Sequence, residues 1–106
     1  MQKLRVIIKR PDEAYGHVTY ISDTLKNLQS IVGGNIEVVE TGFKNAVIIC
    51  NEEGRLLGLK KNILFGITFP QAIMGTIIVC GVDGENFADV PFGFASWKVV
   101  LKAWGN

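Results

Sequence analysis

The sequence predicts an α+β fold, with a mainly antiparallel sheet of about five strands, one amphipathic helix packed on a face of the sheet and a second helix at the C-terminus. Short runs of β-branched residues alternate with turn residues along most of the chain, as they do in antiparallel strands. Residues 22–32 instead place apolar side chains at the helical spacing, and residues 89–104 do so again with aromatic side chains.

Length and composition indicate one globular domain over residues 1–106. Hydrophobic residues make up 48% of the chain and charged residues 20%, which is enough apolar material for a packed core. A formal net charge of +1 gives no general attraction to nucleic acid or to an anionic membrane, so we expect neither as a partner. The N-terminus lacks an apolar secretion signal, and Cys50 and Cys80 lie in apolar runs. We therefore expect a cytoplasmic protein with reduced thiols.

The first two strands are predicted to form a hairpin. Residues 4–9 and 16–21 are rich in β-branched side chains. Pro11 and the polar residues after it form a turn short enough to join two neighbouring antiparallel strands.

A helix is predicted next, capped by Ser22 or Asp23. It ends at Gly33, because a glycine just past the last apolar position can adopt the left-handed conformation that closes a helix. A strand over residues 36–39 follows. The apolar positions of the helix are Leu25, Leu28 and Val32.

The middle of the chain predicts a central strand over residues 46–50, whose continuous apolar run is typical of a strand covered on both faces. Residues 51–54 form the turn after it, and residues 55–57 are predicted to return as its hairpin partner. Residues 76–80 are predicted to be the last strand. This strand and its turn resemble the earlier pair, which we attribute to two similar buried strands rather than to a duplication.

Residues 62–82 carry no charge, a length that could span a bilayer as a helix. Gly66, Pro70 and Gly75 interrupt the segment, and residues 76–79 are β-branched. The content favours a loop followed by a buried strand, so we expect no membrane span.

The C-terminal tail, residues 89–104, is predicted to be a helix with Pro91 near its first turn. A strand is the alternative, because residues 96–102 also alternate between apolar and polar at their ends. The mean hydropathy of +0.28 suggests that part of the aromatic tail is a self-association or partner surface, which favours a homodimer. The candidate residues of this surface are Phe92, Phe94, Trp97 and Trp104.

No residue pattern defines a metal or catalytic site, and we expect neither a metal nor a cofactor. A zinc site built from Cys50, Cys80 and His17 is disfavoured, because the chain has no Cys-x-x-Cys or His-x-x-x-His pair. His17 also has no flanking catalytic signature. Glu52 and Glu53 are adjacent carboxylates that could divide acid and base roles or hold a hard cation, although polar turns of this kind also form for conformational reasons alone.

One joined combination of residues is distinctive, and it is carried by Val32-Gly33-Gly34, Ile36-Glu37, Cys50-Asn51-Glu52-Glu53-Gly54, Leu57, Leu59 and Asn62. Over roughly residues 4–85 this combination resembles a family of small uncharacterised proteins carried by bacteriophages, plasmids and conjugative elements. Residues 86–106 depart from it, since they are aromatic and poor in acids. The resemblance implies an accessory protein that acts by binding, with Asn51, Glu52, Glu53 and Asn62 as its ligand or partner surface.

Three functional hypotheses follow. The first is a non-enzymatic protein of a mobile element that binds a host protein, as a counter-defence factor would. The second is an oligomeric protein that traps a small nucleotide-like signal. The third, and weakest, is a metal-dependent hydrolase that uses Glu52 and Glu53.

Overall fold

The computed structural model describes residues 3–106, within which eight strands and two helices form an α+β fold. This is the predicted class, although the main sheet has six strands where about five were expected. The elements are β1 (Lys3–Lys9), β2 (His17–Ser22), α1 (Leu25–Val32), β3 (Ile36–Glu40), β4 (Ala46–Asn51), β5 (Lys61–Phe65), β6 (Gln71–Met74), β7 (Ile77–Asp83), β8 (Asn86–Ala88) and α2 (Phe94–Ala103).

The main sheet has the strand order β2-β1-β7-β4-β3, and every pairing within it is antiparallel. The short strand β8 folds back onto the second half of β7. Strands β5 and β6 form a separate two-stranded sheet. Strands β2 and β3 therefore lie at the two ends of the main sheet.

Alternate residues of the inner strands point to opposite faces of the main sheet, and other elements cover both of these faces. On one face Ile48 and Val79 pack with the β5–β6 hairpin and α2. On the other face Ile49 and Ile78 pack with α1. All six residues of β4 are buried, which confirms the prediction of a central strand covered on both sides.

The cap of helix α1 is Thr24, one residue after Asp23 and two residues after Ser22. Thr24 has an extended backbone, and its side-chain oxygen accepts a hydrogen bond from the Asn27 amide at 3.1 Å. Ser22 cannot fill this role because it is still the last residue of β2. At the other end Gly33 has a φ of +81°, which confirms the predicted left-handed cap.

Two strand predictions in the second half are wrong. Residues 52–58 form consecutive turns, and residues 55–57 do not pair with β4, because β3 and β7 already occupy both of its edges. Strand β7 is also not the last strand. It continues to Asp83, and a tight turn with Gly84 at a φ of +64° leads into β8.

The uncharged segment 62–82 forms most of β5, then β6 and most of β7. Within residues 3–106, no helix is long and apolar enough to cross a membrane.

The C-terminal tail is helical, which decides against the strand alternative, but α2 starts at Phe94, beyond Pro91. The predicted aromatic surface is not exposed. Trp97 is fully buried and donates a hydrogen bond from Nε1 to the Tyr15 carbonyl at 2.9 Å, and the Trp104 ring packs edge-on against it with centroids 6.0 Å apart. Phe92 and Phe94 are half-buried against the same core.

Candidate functional site

The most prominent concave surface near the predicted polar residues is a groove of about 500 Å³ between the β3–β4 hairpin and β6. The turn at 52–58 closes one side of it. Its volume lies within the range typical of ligand and partner sites. The residues that line it are Glu37, Val39, Cys50, Asn51, Glu52, Glu53, Gly54, Arg55, Leu56, Phe65, Gln71, Ala72, Ile73 and Met74.

The floor of the groove is apolar, because two hairpins meet there. Val39 and Cys50 come from the β3–β4 hairpin, and Phe65, Ile73 and Met74 come from the β5–β6 hairpin. The turn at 52–58 also approaches β6 closely at Gly54, where an added Cβ atom would make a tight contact, 3.1 Å from both Met74 Cβ and the Met74 carbonyl oxygen.

Three exposed carboxylates border this floor, and we call them the acidic rim: Glu37, Glu52 and Glu53. Among the ion pairs formed within residues 3–106, none involves a residue of the acidic rim. Their charges are therefore directed to solvent. Arg55 also lines the groove, and its guanidinium donates to the Ala72 carbonyl at 3.1 Å, which ties the turn to β6.

Asn51 lies in the groove wall, but its side chain is fully used by the fold. It is buried, its Nδ2 donates to the Val32 carbonyl at 3.1 Å, and its Oδ1 accepts from the Glu53 amide at 2.7 Å. The first bond satisfies a carbonyl at the end of α1, and the second shapes the turn that presents Glu52 and Glu53.

Gly34 allows Asn51 to reach the helix end. A Cβ atom at Gly34 would lie 2.9 Å from Asn51 Nδ2, so any larger residue would displace that side chain. The two glycines after Val32 and the Asn51 turn are thus parts of a single junction between α1, β3 and β4. Most of the distinctive residue combination is explained by this junction rather than by a ligand.

Asn62 lies outside the groove, and the structure does not bring it together with Asn51, Glu52 and Glu53. Its Nδ2 donates to the carbonyls of Lys9 and Gly75 at 2.6 and 2.8 Å, and its Oδ1 accepts from Lys9 Nζ at 2.7 Å. Lys9 is only 4% exposed, and this burial lowers the pKa of its amine, although Glu13 and Asp12 act in the opposite direction. Asn62 is therefore a structural partner of a buried cation.

The residues that could act as nucleophiles or soft metal ligands are held apart. Cys50 packs on the α2 face of the sheet and Cys80 on the α1 face. Burial, with a smaller contribution from Glu37, raises the pKa of Cys50 to about 11, and burial with Asp23 raises that of Cys80 to about 12. Both thiols are therefore protonated at neutral pH, where they pack as small apolar groups.

His17 contacts a carboxylate on the β1–β2 hairpin. Its Nδ1 lies 2.9 Å from Glu13 Oε2, and Glu13 also accepts from the Arg10 amide at 2.9 Å. Burial opposes ionisation of Glu13, but these hydrogen bonds and the charges of His17 and Arg10 outweigh it and lower its pKa. Within residues 3–106 no group of three or more His, Cys, Asp and Glu residues has the arrangement of a metal site.

A second cavity, of about 470 Å³, lies between the start of β1 and β8. Asp23, Asp83 and Asp89 contribute to its lining. Asp89 is engaged there by the fold, since its Oδ1 accepts from the Arg5 amide at 2.7 Å. Five of the eight residues that line this cavity are polar or charged, whereas the floor of the groove is apolar.

Comparison with known families matches residues 3–97 to DUF3846, a domain of unknown function. The chain belongs to the DUF3846 family. The DUF3846 match includes every strand, the junction between α1, β3 and β4, and the start of α2. No curated protein and no solved structure matches this DUF3846 chain.

The sequence predicts the residues on one side of the groove but not those on the other side. Glu52 and Glu53 were predicted to be on a surface of interest, and the structure places both on the acidic rim. Glu37 and the apolar floor were not predicted to take part. The β5–β6 hairpin was the missing element, because Gly66 and Pro70 predict a break in the segment, but β5 and β6 on either side of that break are strands where a loop was expected.

Proposed function

We propose that this DUF3846 protein is a non-enzymatic binding protein, and that the groove with its acidic rim is where it holds a partner protein. The observation that carries the proposal is the combination of an apolar floor with three carboxylates at its border that form no ion pair within residues 3–106. An apolar centre with a polar border is the usual anatomy of a protein–protein interface. Leu56 supports the proposal further, because it borders the groove and is 84% exposed.

The resemblance to proteins of bacteriophages and plasmids supplies the biological setting of the proposal. In that setting the partner is a host protein in the bacterial cytoplasm, and counter-defence is the role we propose. The partner surface differs from the one expected from the aromatic tail. Trp97 and Trp104 are buried within the protomer, so a homodimer built on them is not part of this proposal.

The acidic rim also bears on the other two hypotheses. A nucleotide-like signal carries phosphate charges, which the carboxylates of Glu37, Glu52 and Glu53 would repel. A hydrolase would need Glu52 and Glu53 to converge on one reacting group, whereas both are exposed to solvent on a turn. We therefore propose neither activity.

Affinity capture with a matched pair of surface variants tests the proposal. The groove variant combines Leu56→Asp with Glu53→Lys, and the control variant combines Val99→Asp with Glu85→Lys, at exposed positions outside the groove. A host protein retained by the wild type and the control, lost by the groove variant, and reproduced with the purified partner by calorimetry would support the proposal. Equal retention by all three proteins would contradict it.

A further inference from the structure

We infer that the groove binds its partner as an added β-strand along β3, and that the bound segment carries basic residues flanking two β-branched residues. This inference rests on the proposed function and specifies the chemistry of the partner. Its basis is that β3 is an edge strand directly beside the groove and has a symmetric sequence of charges, Glu37-Val38-Val39-Glu40.

The free edge of β3 can be assigned residue by residue. Residues 35 and 52 lie opposite each other in the register of β3 and β4, and the Glu52 amide donates to the Asn35 carbonyl at 2.8 Å. In an antiparallel pair such hydrogen-bonded positions alternate, so the amides and carbonyls of residues 37 and 39 point to β4. Those of Ile36, Val38 and Glu40 point away from the sheet, where a further strand can bind them.

The side chains of β3 then define what an added strand must present. Glu37 and Val39 face the groove, whereas Val38 and Glu40 lie on the opposite face and are exposed. A partner residue directly opposite a glutamate gains most from a positive charge, and one opposite a valine gains most from an apolar, β-branched side chain. The complementary segment is Lys-Val-Val-Lys or its arginine equivalent. Because this pattern is the same in both directions, it fits a parallel or an antiparallel strand.

Charge also decides between this partner and a second copy of the chain. Two β3 strands paired with each other would bring four carboxylates, those of Glu37 and Glu40 from each copy, to one interface without a compensating base on either strand. Like charges placed opposite each other destabilise a strand pair. The edge is therefore protected against self-pairing and open to a basic strand, as is common for strand edges with a charged sequence.

The inference is tested with two blocked peptides, one containing Thr-Lys-Val-Val-Lys-Thr and one containing Thr-Glu-Val-Val-Glu-Thr. The second peptide contains the Glu-Val-Val-Glu sequence of residues 37–40 and stands for a second copy of the chain. Binding to the full chain is followed by NMR titration. We expect the basic peptide to bind about tenfold more tightly than the acidic one, with the affinity falling as salt is added.

A charge-reversed variant provides the decisive control. Glu37→Lys combined with Glu40→Lys changes two exposed residues, and it should reverse the preference so that the acidic peptide binds more tightly. Glu85→Lys, at an exposed position that does not line the groove, should leave the preference unchanged. Equal binding of both peptides, tighter binding of the acidic peptide to the wild type, or no binding of either would overturn the inference.

The outcome is separable from that of the proposed function. If the chain captures a partner through the groove but binds neither peptide, strand addition is rejected and the binding function still holds. A basic peptide that binds the β3 edge of a chain that captures no partner through the groove would support the inference about ligand chemistry and reject the proposed function.

Discussion

The four polar residues singled out by the sequence divide into two pairs that behave in opposite ways. The side chains of Asn51 and Asn62 are turned inward, and every one of their described hydrogen bonds is made to the protein itself. The side chains of Glu52 and Glu53 are exposed and unpaired within residues 3–106. An amide in a turn can therefore serve to position a carboxylate, and only the carboxylate is then available to a partner.

The largest loss of stability is expected at Asn62, whose side chain is turned inward. Asn62→Ala removes the acceptor for the buried Lys9 amine and the donor for two carbonyls, so we expect the free energy of unfolding to fall by about 3 kcal/mol. Urea denaturation followed by circular dichroism measures the loss. Asn62→Ala combined with Lys9→Met should be less destabilised than the sum of the two single variants, because the two residues form one network.

Asn51 comes next. Asn51→Ala leaves the Val32 carbonyl and the Glu53 amide without their partner, and we expect a loss of about 2 kcal/mol in the free energy of unfolding. Asn51→Asp keeps the acceptor for the Glu53 amide but places a buried carboxylate against the Val32 carbonyl at the end of α1, so it should be at least as destabilised as Asn51→Ala at neutral pH. A loss below about 0.5 kcal/mol for Asn51→Ala would mean that the junction does not depend on this side chain.

The buried thiol of Cys80 makes the stability of the folded chain depend on pH. The pKa of Cys80 is raised to about 12 in the folded chain, above its value of 9.0 in the unfolded chain. The stabilising contribution is therefore fully present below pH 9.0, and it is lost as the pH rises from 9.0 towards 12, because the unfolded state releases its proton first.

Between about pH 8 and pH 11, the wild type should lose about 2 kcal/mol more unfolding free energy than Cys80→Ala does. Urea titrations at both pH values measure this difference, and subtraction of the variant cancels the titration of the other groups. Equal losses in the two proteins would show that the Cys80 thiol is not shielded from water.

The smallest change in stability is expected at the exposed pair, Glu52 and Glu53. Glu52→Gln combined with Glu53→Gln should change the free energy of unfolding by less than about 0.5 kcal/mol, because exposed carboxylates without partners contribute little. The same variant should bind the basic peptide several-fold more weakly and with a smaller salt dependence. Strong destabilisation of this variant would mean that the two glutamates stabilise the fold as the two asparagines do, which would contradict the distinction between the pairs.

The parts of the fold that the sequence revealed are those determined by neighbours along the chain. The helix end at Gly33 was predictable because a glycine after an apolar period has a local conformational role. Strand β4 was predictable because a continuous apolar run must be covered on both faces.

The rest depends on residues distant in sequence. The β5–β6 hairpin contains an irregularity in register between Lys61 and Ile63, which obscures the alternation of its side chains. The groove could not be predicted because Val39, Phe65 and Met74 meet only after two hairpins have folded against each other. Trp97 is likewise buried in the core, where the distant Tyr15 carbonyl accepts its indole N–H, and no local pattern indicates this contact.

The most direct test of strand addition at the acidic groove is hydrogen exchange of two neighbouring amides, measured by NMR with and without the Lys-Val-Val-Lys peptide. The Val38 amide points to the open edge and should exchange rapidly in the free chain, whereas the Val39 amide points to β4 and should already be protected. We predict that the bound peptide slows exchange at Val38 by at least about tenfold, with a much smaller change at Val39. A saturating peptide that leaves the Val38 amide in rapid exchange would contradict it.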